Sequence, residues 1–454
     1  MAGIAFEIRK ILKKRSLIGL SYALTYGISL SAGPIIISIF SILFSGLVAM
    51  EFTDEVTVRK YQIVVTYIIA LSLIISSPLQ LILTRYIADR YFKKETEKIL
   101  ANFLGALTLS LILGFTVGLF LSVATMGELP LLFKVVFTFT LALSSGFWLI
   151  NILLTAFKDY KFILLSFLSG FGTIVLITPL LSKLGIEGLL TAFFIGVVIT
   201  FTLLTGYLFK LFPSRNLLEF SFLKSGYKIL IPVGFFYNVG VWIDKFIFWF
   251  SPDTGSAVLG PFKSSIVYDI PMFLAYLAIT PGMGYFFLKL EGEFALYYEK
   301  YYEAIIKNET LERIYEIGHD MIIAARSIIQ ETIRAQAIVI IVLLLFEKAI
   351  FSIFRISLVY IPLFNVLLLG TSLQLLVMAV LSLIYYFDLK TEALIVTFTA
   401  AVLNAALTYV SIKLGPYFYG YGFFTALLIS LLIGILLLRR VLYEIHYRTF
   451  MLNR

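Results

Sequence analysis

The 454-residue sequence contains no cysteine and only two histidines, His319 and His446. Without thiols there are no disulfides and no thiolate metal sites, and two isolated histidines do not form a metal-binding cluster. A Gly-x-x-x-x-Gly-Lys-Ser/Thr phosphate loop is also missing, which excludes nucleotide hydrolysis by that device. The sequence therefore predicts no cofactor, no metal ion and no catalytic residue.

Charged residues are scarce as well, at 14% of the chain against 60% hydrophobic residues. Soluble globular proteins carry about 25% charged residues. Apolar windows of about 20 residues, the length that spans a bilayer, recur between residues 17 and 440. The formal net charge of +9 fits cytoplasmic loops rich in Lys and Arg, so we expect no nucleic-acid partner.

The hydropathy pattern predicts an all-α membrane protein with about twelve transmembrane helices. The predicted spans are 17–50, 61–86, 100–125, 129–156, 162–182, 187–211, 227–250, 265–288, 335–354, 357–386, 391–412 and 420–443. With the N-terminus in the cytoplasm, about three quarters of the lysines and arginines lie in cytoplasmic segments, as the positive-inside rule requires. We therefore expect a multi-pass protein of the cytoplasmic (inner) membrane with both termini in the cytoplasm.

Composition shifts divide the chain into segments. Residues 1–16 predict an amphipathic helix in the headgroup layer, the alternative being a frayed basic tail. Bundles of six helices are expected at 17–211 and 227–454, around a central cavity and joined by a cytoplasmic linker at 212–226. An insertion at 290–333 predicts amphipathic cytoplasmic helices, which either bind a partner or pack on the protein itself or on lipid headgroups.

Helix breakers occur at matched positions of the two halves. The first spans contain Gly27, Gly33 and Pro34 in one half and Pro232, Gly234 and Gly240 in the other, and the second spans contain Pro78, and Pro271 with Pro281. Paired interruptions of this kind are typical of transporters whose substrate site lies between two repeats. The pattern favours a transporter with related halves.

Span seven has the densest group of polar residues, and ionisable groups inside spans usually face a cavity or a partner. The group consists of Tyr237, Asn238, Trp242, Asp244 and Lys245. Because neighbouring residues on a helix point about 100° apart, we expect Asp244 and Lys245 to face different ways. One would face the cavity while the other pairs elsewhere or extends to the outer surface. The alternative places both at the outer interface.

The other candidate cavity residues are distributed over four spans. They are Gln80 and Arg85 in span two, Asn151 in span four, Tyr268 and Asp269 in span eight, and Glu347 in span nine. Arg85 can pair with Asp89, bind an anionic lipid-linked group or serve as a positive-inside anchor. Glu347 can carry a coupling proton or form a structural ion pair.

Several sequence blocks resemble the PelG family, the inner-membrane transporters of the Pel exopolysaccharide system. The blocks are the opening Met-Ala-Gly-Ile-Ala-Phe-Glu-Ile-Arg-Lys, Ser-Ala-Gly-Pro34, Ser-Pro78-Leu-Gln, Thr-Arg85-Tyr-Ile-Ala-Asp89-Arg, Tyr237-Asn, Trp242-Ile-Asp-Lys245, Tyr268-Asp-Ile-Pro271 and Pro281-Gly-Met-Gly. The resemblance implies the multidrug/oligosaccharidyl-lipid/polysaccharide exporter fold with alternating access. It also implies export of an N-acetylhexosamine-rich polymer, with a cytoplasmic glycosyltransferase, PelF, and the membrane subunits PelD and PelE as partners.

Three other functions compete with polysaccharide export. An ion-coupled antiporter for small cationic compounds, or a lipid-linked oligosaccharide flippase, would use the same fold. A membrane glycosyltransferase would usually present a large outer domain, whereas the longest outer loop here is 251–264. The short outer loops favour a protein that moves its substrate over an enzyme.

Overall fold

The computed structural model describes residues 33–157, 159–212 and 218–452. Residues 1–16, the first part of span one and residues 213–217 of the 212–226 linker lie outside this part. Ten helical stretches within it are long and apolar enough to cross a membrane. They match spans two to twelve, because the stretch Tyr160–Leu211 contains both span five and span six. The predicted all-α membrane fold is confirmed.

The described chain forms two compact units, and the first of them runs from Gly33 to Ser265. Its helices are α1 (Gly33–Ala49), α2 (Glu55–Phe92), α3 (Glu97–Ala124), α4 (Leu131–Ala156), α5 (Tyr160–Leu181), α6 (Gly185–Leu211) and α7 (Leu230–Phe250). Helix α2 packs on α4 and α7, and further contacts join α3 with α4, α4 with α6, α5 with α6, and α1 with α5. The large buried side chains of this unit are mostly phenylalanines from these faces.

Local sequence sets where these helices begin and turn. The Asp54 carboxylate caps α2 by accepting a hydrogen bond from the Thr57 amide at 3.0 Å, which satisfies a donor that the first helical turn leaves open. Hydrogen bonds from the hydroxyl and amide of Thr57 hold the pKa of Asp54 below its usual value. Helices α5 and α6 meet at Gly185, whose φ of +67° suits glycine, so spans five and six form a hairpin.

A β-hairpin follows α7 and closes the first unit. Strands β1 (Ser256–Leu259) and β2 (Phe262–Ser264) pair antiparallel. The Tyr67 hydroxyl donates to the Lys263 carbonyl at 2.9 Å and accepts from the Lys263 amide at 3.2 Å. Phe262 is buried beside Tyr67, Phe133 and Phe137. The hairpin is therefore bound to α2 and α4 by both hydrogen bonds and aromatic packing.

The second unit, described from Ile266 to Leu452, contains seven long helices. They are α8 (Ile266–Ala278), α9 (Thr280–Lys289), α10 (Ala295–Ile306), α11 (Leu311–Ile353), α12 (Ile361–Tyr386), α13 (Lys390–Leu414) and α14 (Tyr421–Tyr443). A π-helical turn, Leu290–Phe294, joins α9 to α10. Short turns at Ile445–Tyr447 and Arg448–Leu452 end the described chain.

Helix α11 combines two environments in 43 residues, a length of about 65 Å at about 1.5 Å per residue. Its first half buries one stripe and exposes charged residues, whereas Leu345 and other apolar residues near its end are exposed. The predicted insertion at 290–333 thus consists of α10 and the first half of α11. Span nine is the direct continuation of the same helix.

The boundary between the compact units lies after Ser265, whereas the predicted linker at 212–226 falls inside the first unit. The reason is the packing of α7 along α2, which hydropathy cannot reveal because it gives no lateral neighbours. Span seven is therefore grouped by its contacts into the same unit as spans two to six. The division into bundles 17–211 and 227–454 stays a prediction.

Candidate functional site

A buried ion pair lies on α7, in a span of the first unit. The Lys245 Nζ lies 3.1 Å from Oδ2 and 3.2 Å from Oδ1 of Asp244, and it also donates to the Val241 carbonyl at 2.8 Å. The Asp244 side chain is fully buried, and that of Lys245 is 6% exposed. The expected separation of the two side chains is not observed, because the flexible lysine stem bends back to its neighbour.

Burial makes this pair sensitive to the loss of either partner. Removing two charges from water costs several kcal/mol each, and their attraction offsets the cost only while both remain. Charged groups inside membrane spans are retained mainly where they have a function. The pair is consequently a stronger candidate for a transport role than an exposed ion pair would be.

Aromatic and polar side chains of α7 surround the pair. The Lys245 Nζ lies 5.9 Å from the Trp242 ring centroid, within the range of a cation–π interaction. The buried Trp242 Nε1 has no hydrogen-bond acceptor among the described residues. Tyr237 and Asn238 are half-buried one to two turns earlier on the same helix. This helix therefore places aromatic rings, an amide and two charges in one region.

Residues around Pro78 of α2 and Gly234 of α7 explain why these two helices pack so closely. Pro78 has no amide hydrogen, so the Ile74 carbonyl loses its helical partner, and the Ser77 hydroxyl donates to that carbonyl at 2.8 Å. Gly234 packs on the Ser77 carbonyl, where a Cβ would lie 2.2 Å from the oxygen. A break in one helix and a glycine in the other thus form one packing site.

Polar side chains also occur on α2 and α4, which pack on each other. Gln80 donates to the Ser76 hydroxyl at 2.9 Å, and the Trp148 Nε1 donates to the Ser72 hydroxyl at 3.0 Å. Asn151, one turn after Trp148, is half-buried, and its Oδ1 has no hydrogen-bond partner in the described part of the chain. The predicted residues Gln80 and Asn151 therefore lie on two helices that pack together.

Arg85 belongs to a small cluster near the end of α2. Its Nη2 lies 3.8 Å from Asp89 Oδ1, and its guanidinium lies 5.4 Å from the Tyr227 ring centroid. The Tyr227 hydroxyl donates to the Asp89 carboxylate. Because the Arg85 and Asp89 side chains are partly exposed and 3.8 Å apart, this ion pair contributes little to stability. The cluster ties α2 to the segment that precedes α7.

The second unit contains the three remaining predicted residues, which do not form one group. Tyr268 is buried and Asp269 half-buried in the first turn of α8. Glu347 is half-buried on α11 next to exposed Phe346, and its Oε2 has no hydrogen-bond partner among the residues described. The predicted set is thus distributed between the units.

The second unit also contains a buried polar cluster that sequence reasoning missed. Helices α8 and α9 are separated just before Pro281, and Gln336 of α11 donates to the Ala278 carbonyl at 3.3 Å and the Ser372 hydroxyl at 3.0 Å. Gly282 packs against the Gln336 Oε1. An uncharged polar residue in an apolar run was the available signal for Gln336.

A second contact joins the same helices. The Tyr276 hydroxyl donates to Gln374 Oε1 at 2.9 Å, and the Thr371 hydroxyl donates to the Ala275 carbonyl at 3.1 Å. Across both units, the described residues contain no cluster of three acidic or histidine side chains that could hold a metal. The chemistry available at these sites is hydrogen bonding, ion pairing and aromatic stacking.

Comparison with known sequences decides the family. The sequence model of PelG, described as a putative exopolysaccharide exporter (EPS-E), matches residues 1–450. This chain belongs to the PelG exopolysaccharide exporter family. The resemblance found in the sequence blocks is confirmed. A search of curated proteins gave no match.

Solved structures support the same fold. An outward-facing multidrug resistance MATE transporter of the MOP superfamily aligns with a TM-score of 0.65 at 14% identity, covering 93% of this chain and 96% of that one. A MOP superfamily transporter from Pyrococcus furiosus aligns with a TM-score of 0.63 at 16% identity, covering 92% and 96%. At this identity the likeness shows the fold alone, so the PelG family member is a multi-pass membrane protein with a MATE-like fold.

Proposed function

We propose that this member of the PelG family exports an N-acetylhexosamine-rich, Pel-like polymer across the cytoplasmic membrane, with both termini in the cytoplasm. Family membership over residues 1–450 and the transporter fold support the proposal. The chain moves the polymer and makes no bonds in it. Transport uses alternating access or a continuous conduit, driven by an ion gradient or by polymer elongation.

The observation that carries the proposed site is the buried Asp244–Lys245 pair. A carboxylate and an ammonium accept and donate the hydrogen bonds that sugar hydroxyl and acetamido groups require. Trp242 adds a flat apolar ring beside the ammonium. Other proposed pathway residues are Tyr237, Asn238, Tyr268, Asp269, Gln80, Arg85, Asn151 and Glu347.

The exporter works in a synthase complex with a cytoplasmic glycosyltransferase of the PelF type and membrane subunits of the PelD and PelE type. The segment 290–333 supports this part of the proposal. Its helices expose both charged residues and apolar side chains such as Ile306 and Ile323. Surfaces with mixed charge and exposed apolar groups are common at protein interfaces.

The test is polymer export by cells that carry Asp244→Asn, Lys245→Gln or Asp269→Asn, with the membrane abundance of each variant measured. We expect at least one of the span-seven variants to export much less polymer per molecule of exporter in the membrane. Lys183→Gln, at an exposed lysine, is the matched control and should export normally. Wild-type export by all three variants would contradict the proposed site.

A further inference from the structure

A pocket of about 420 Å³ opens where several helices of the first unit end. Its size is within the range of about 300–1,000 Å³ that is usual for small-molecule sites. Helix ends of α2, α4 and α6 and the residues that precede α3 and α5 contribute its walls. The lining residues are Tyr91, Thr96, Phe157, Asp159, Leu211 and Phe212.

Three aromatic rings form a connected wall of this pocket. The Tyr91 and Phe157 ring centroids are 5.4 Å apart, and those of Phe157 and Phe212 are 4.8 Å apart. Tyr91 is 46% exposed, so its ring is accessible to a ligand. An aromatic face is flat, apolar and electrostatically negative, and it therefore suits the C–H groups on one face of a pyranose ring.

Polar groups complete the pocket on the side of α5. The Tyr207 hydroxyl donates to the Asp159 carboxylate, and the Tyr207 ring stacks on Phe162 with centroids 3.9 Å apart. The carboxylate is thereby held in place and can accept further hydrogen bonds. Thr96 adds a hydroxyl group. These groups can bind sugar hydroxyls and the N–H of an acetamido group.

The charge of the pocket favours a neutral or amino sugar over an acidic one. Asp159 is the charged group among the described residues that line it. Two of the bases close to the lining residues in sequence, Arg90 and Lys98, are bound to Glu95 at 2.6 and 3.0 Å. A uronic acid or a phosphate would therefore meet a carboxylate, which like-charge repulsion disfavours.

We propose that this pocket binds one hexosamine unit of the exported polymer, and that it lies at the cytoplasmic end of the first unit, where the polymer enters. The inference rests on the proposed function and on the proposed orientation. The stacked rings take the apolar face of the sugar, while Asp159 and Thr96 take its polar substituents. The pocket is a recognition subsite outside the span that carries the Asp244–Lys245 pair.

The test measures, by ligand-observed NMR, the binding of an N-acetylhexosamine tetrasaccharide to the purified full chain in lipid nanodiscs. Nanodiscs avoid glycoside detergents, whose sugar headgroups would compete. We expect the wild type to bind, and Phe157→Leu or Tyr91→Leu to bind about five- to tenfold more weakly, since each loses one aromatic contact. Phe115→Leu, at a partly exposed ring of the same unit, should bind as the wild type.

Asp159→Asn provides a second measurement, because an amide still accepts from Tyr207 but loses the charge. We expect this variant to lose the preference for the hexosamine tetrasaccharide over a uronic-acid tetrasaccharide. Three results would overturn the proposal. They are no binding by the wild type, binding by both aromatic variants as tight as that of the wild type, and a wild-type preference for the acidic sugar. A thermal unfolding midpoint equal to that of the wild type confirms that a variant is folded. If Phe157→Leu does not fold, Tyr91→Leu still tests the pocket, because the Tyr91 side chain is exposed.

This experiment is independent of export. Normal polymer export without oligosaccharide binding would reject the pocket and leave the exporter function standing. Oligosaccharide binding that depends on Phe157, together with wild-type export by the Asp244, Lys245 and Asp269 variants, would reject the span-seven site and leave the pocket standing. Each proposal can therefore be rejected by a result that leaves the other one standing.

Discussion

The α-carbon of Gly234 lies directly on the main-chain carbonyl of Ser77, so that an added Cβ would lie 2.2 Å from the oxygen. The contact joins α7 to α2 immediately before Pro78. Because a main-chain carbonyl in a helix cannot move aside as a side chain can, the position tolerates glycine and little else. The approach of the two helices depends on this residue.

We expect Gly234→Ala to lower stability by about 1–3 kcal/mol, the usual cost of an added group in a packed interior. Gly172→Ala is the matched control, since a Cβ at Gly172 of α5 meets nothing within 4 Å. That control should be neutral or stabilise by about 0.5–1 kcal/mol through helix propensity. Unfolding by heat or denaturant in nanodiscs measures both. Equal midpoints for Gly234→Ala and the wild type would contradict the packing.

The Asp244–Lys245 pair predicts a non-additive effect on stability. Asp244→Asn or Lys245→Met alone leaves a buried charge uncompensated and should cost about 3–5 kcal/mol. The double variant should recover most of this loss, because both charges are gone. Denaturant unfolding of the three variants gives the coupling free energy.

The exposed pair Glu303–Lys307, whose side chains are 54% and 62% exposed, is the control for this cycle. Lys307→Gln should leave the unfolding midpoint close to that of the wild type, because solvent and salt screen such exposed pairs. If the losses of the two span-seven single variants simply add in the double variant, the pair does not act as a unit.

Tyr67→Phe tests how the β-hairpin is held. The hydroxyl both donates to and accepts from the Lys263 backbone, so its removal leaves two backbone groups without this partner. We expect faster hydrogen exchange at the Lys263 amide and faster tryptic cleavage after Lys263, with little change in the spans. Tyr417→Phe, at a tyrosine that is 94% exposed, should leave both rates unchanged. Unchanged protection at Lys263 in Tyr67→Phe would show that aromatic packing alone holds the hairpin.

The packing of His446 in the turn Ile445–Tyr447 predicts that the stability of this turn depends on pH. His446 Nδ1 lies 3.1 Å from the Tyr301 hydroxyl, and its ring packs on Tyr315 and Gly318. Burial lowers the pKa of His446 below its ordinary value of 6.5, so the packed turn favours the neutral ring. The stabilising contribution is therefore present above pH 6.5 and is lost as the pH falls below it.

Hydrogen exchange of residues 445–452 at pH 7.5 and pH 5.5, corrected for intrinsic exchange rates, checks this prediction. Protection should be lower at pH 5.5 in the wild type, and His446→Gln should remove the difference. His319→Gln, at an exposed histidine of α11, should retain it. A pH response in His446→Gln equal to that of the wild type would assign the effect to another group.

The sequence by itself determined the membrane class and the spans, because a bilayer demands about 20 apolar residues per crossing whatever the neighbours are. It also identified the blocks that place the chain in its family, and the polar residues of span seven. Helix geometry at adjacent positions, however, predicted that Asp244 and Lys245 point apart. Side-chain reach decided otherwise, and reach is not encoded in backbone periodicity.

Only the tertiary structure decided which helices touch. Gly234 and Ser77 are far apart in sequence, and so are Tyr91, Phe157 and Phe212, which together line one pocket. Hydropathy gives the depth of a residue in the membrane but no lateral position, so neither contact follows from it. The pairing of α7 with α2 and the pocket at the helix ends arise from packing, which depends on the shapes of surfaces that the chain brings together only when folded.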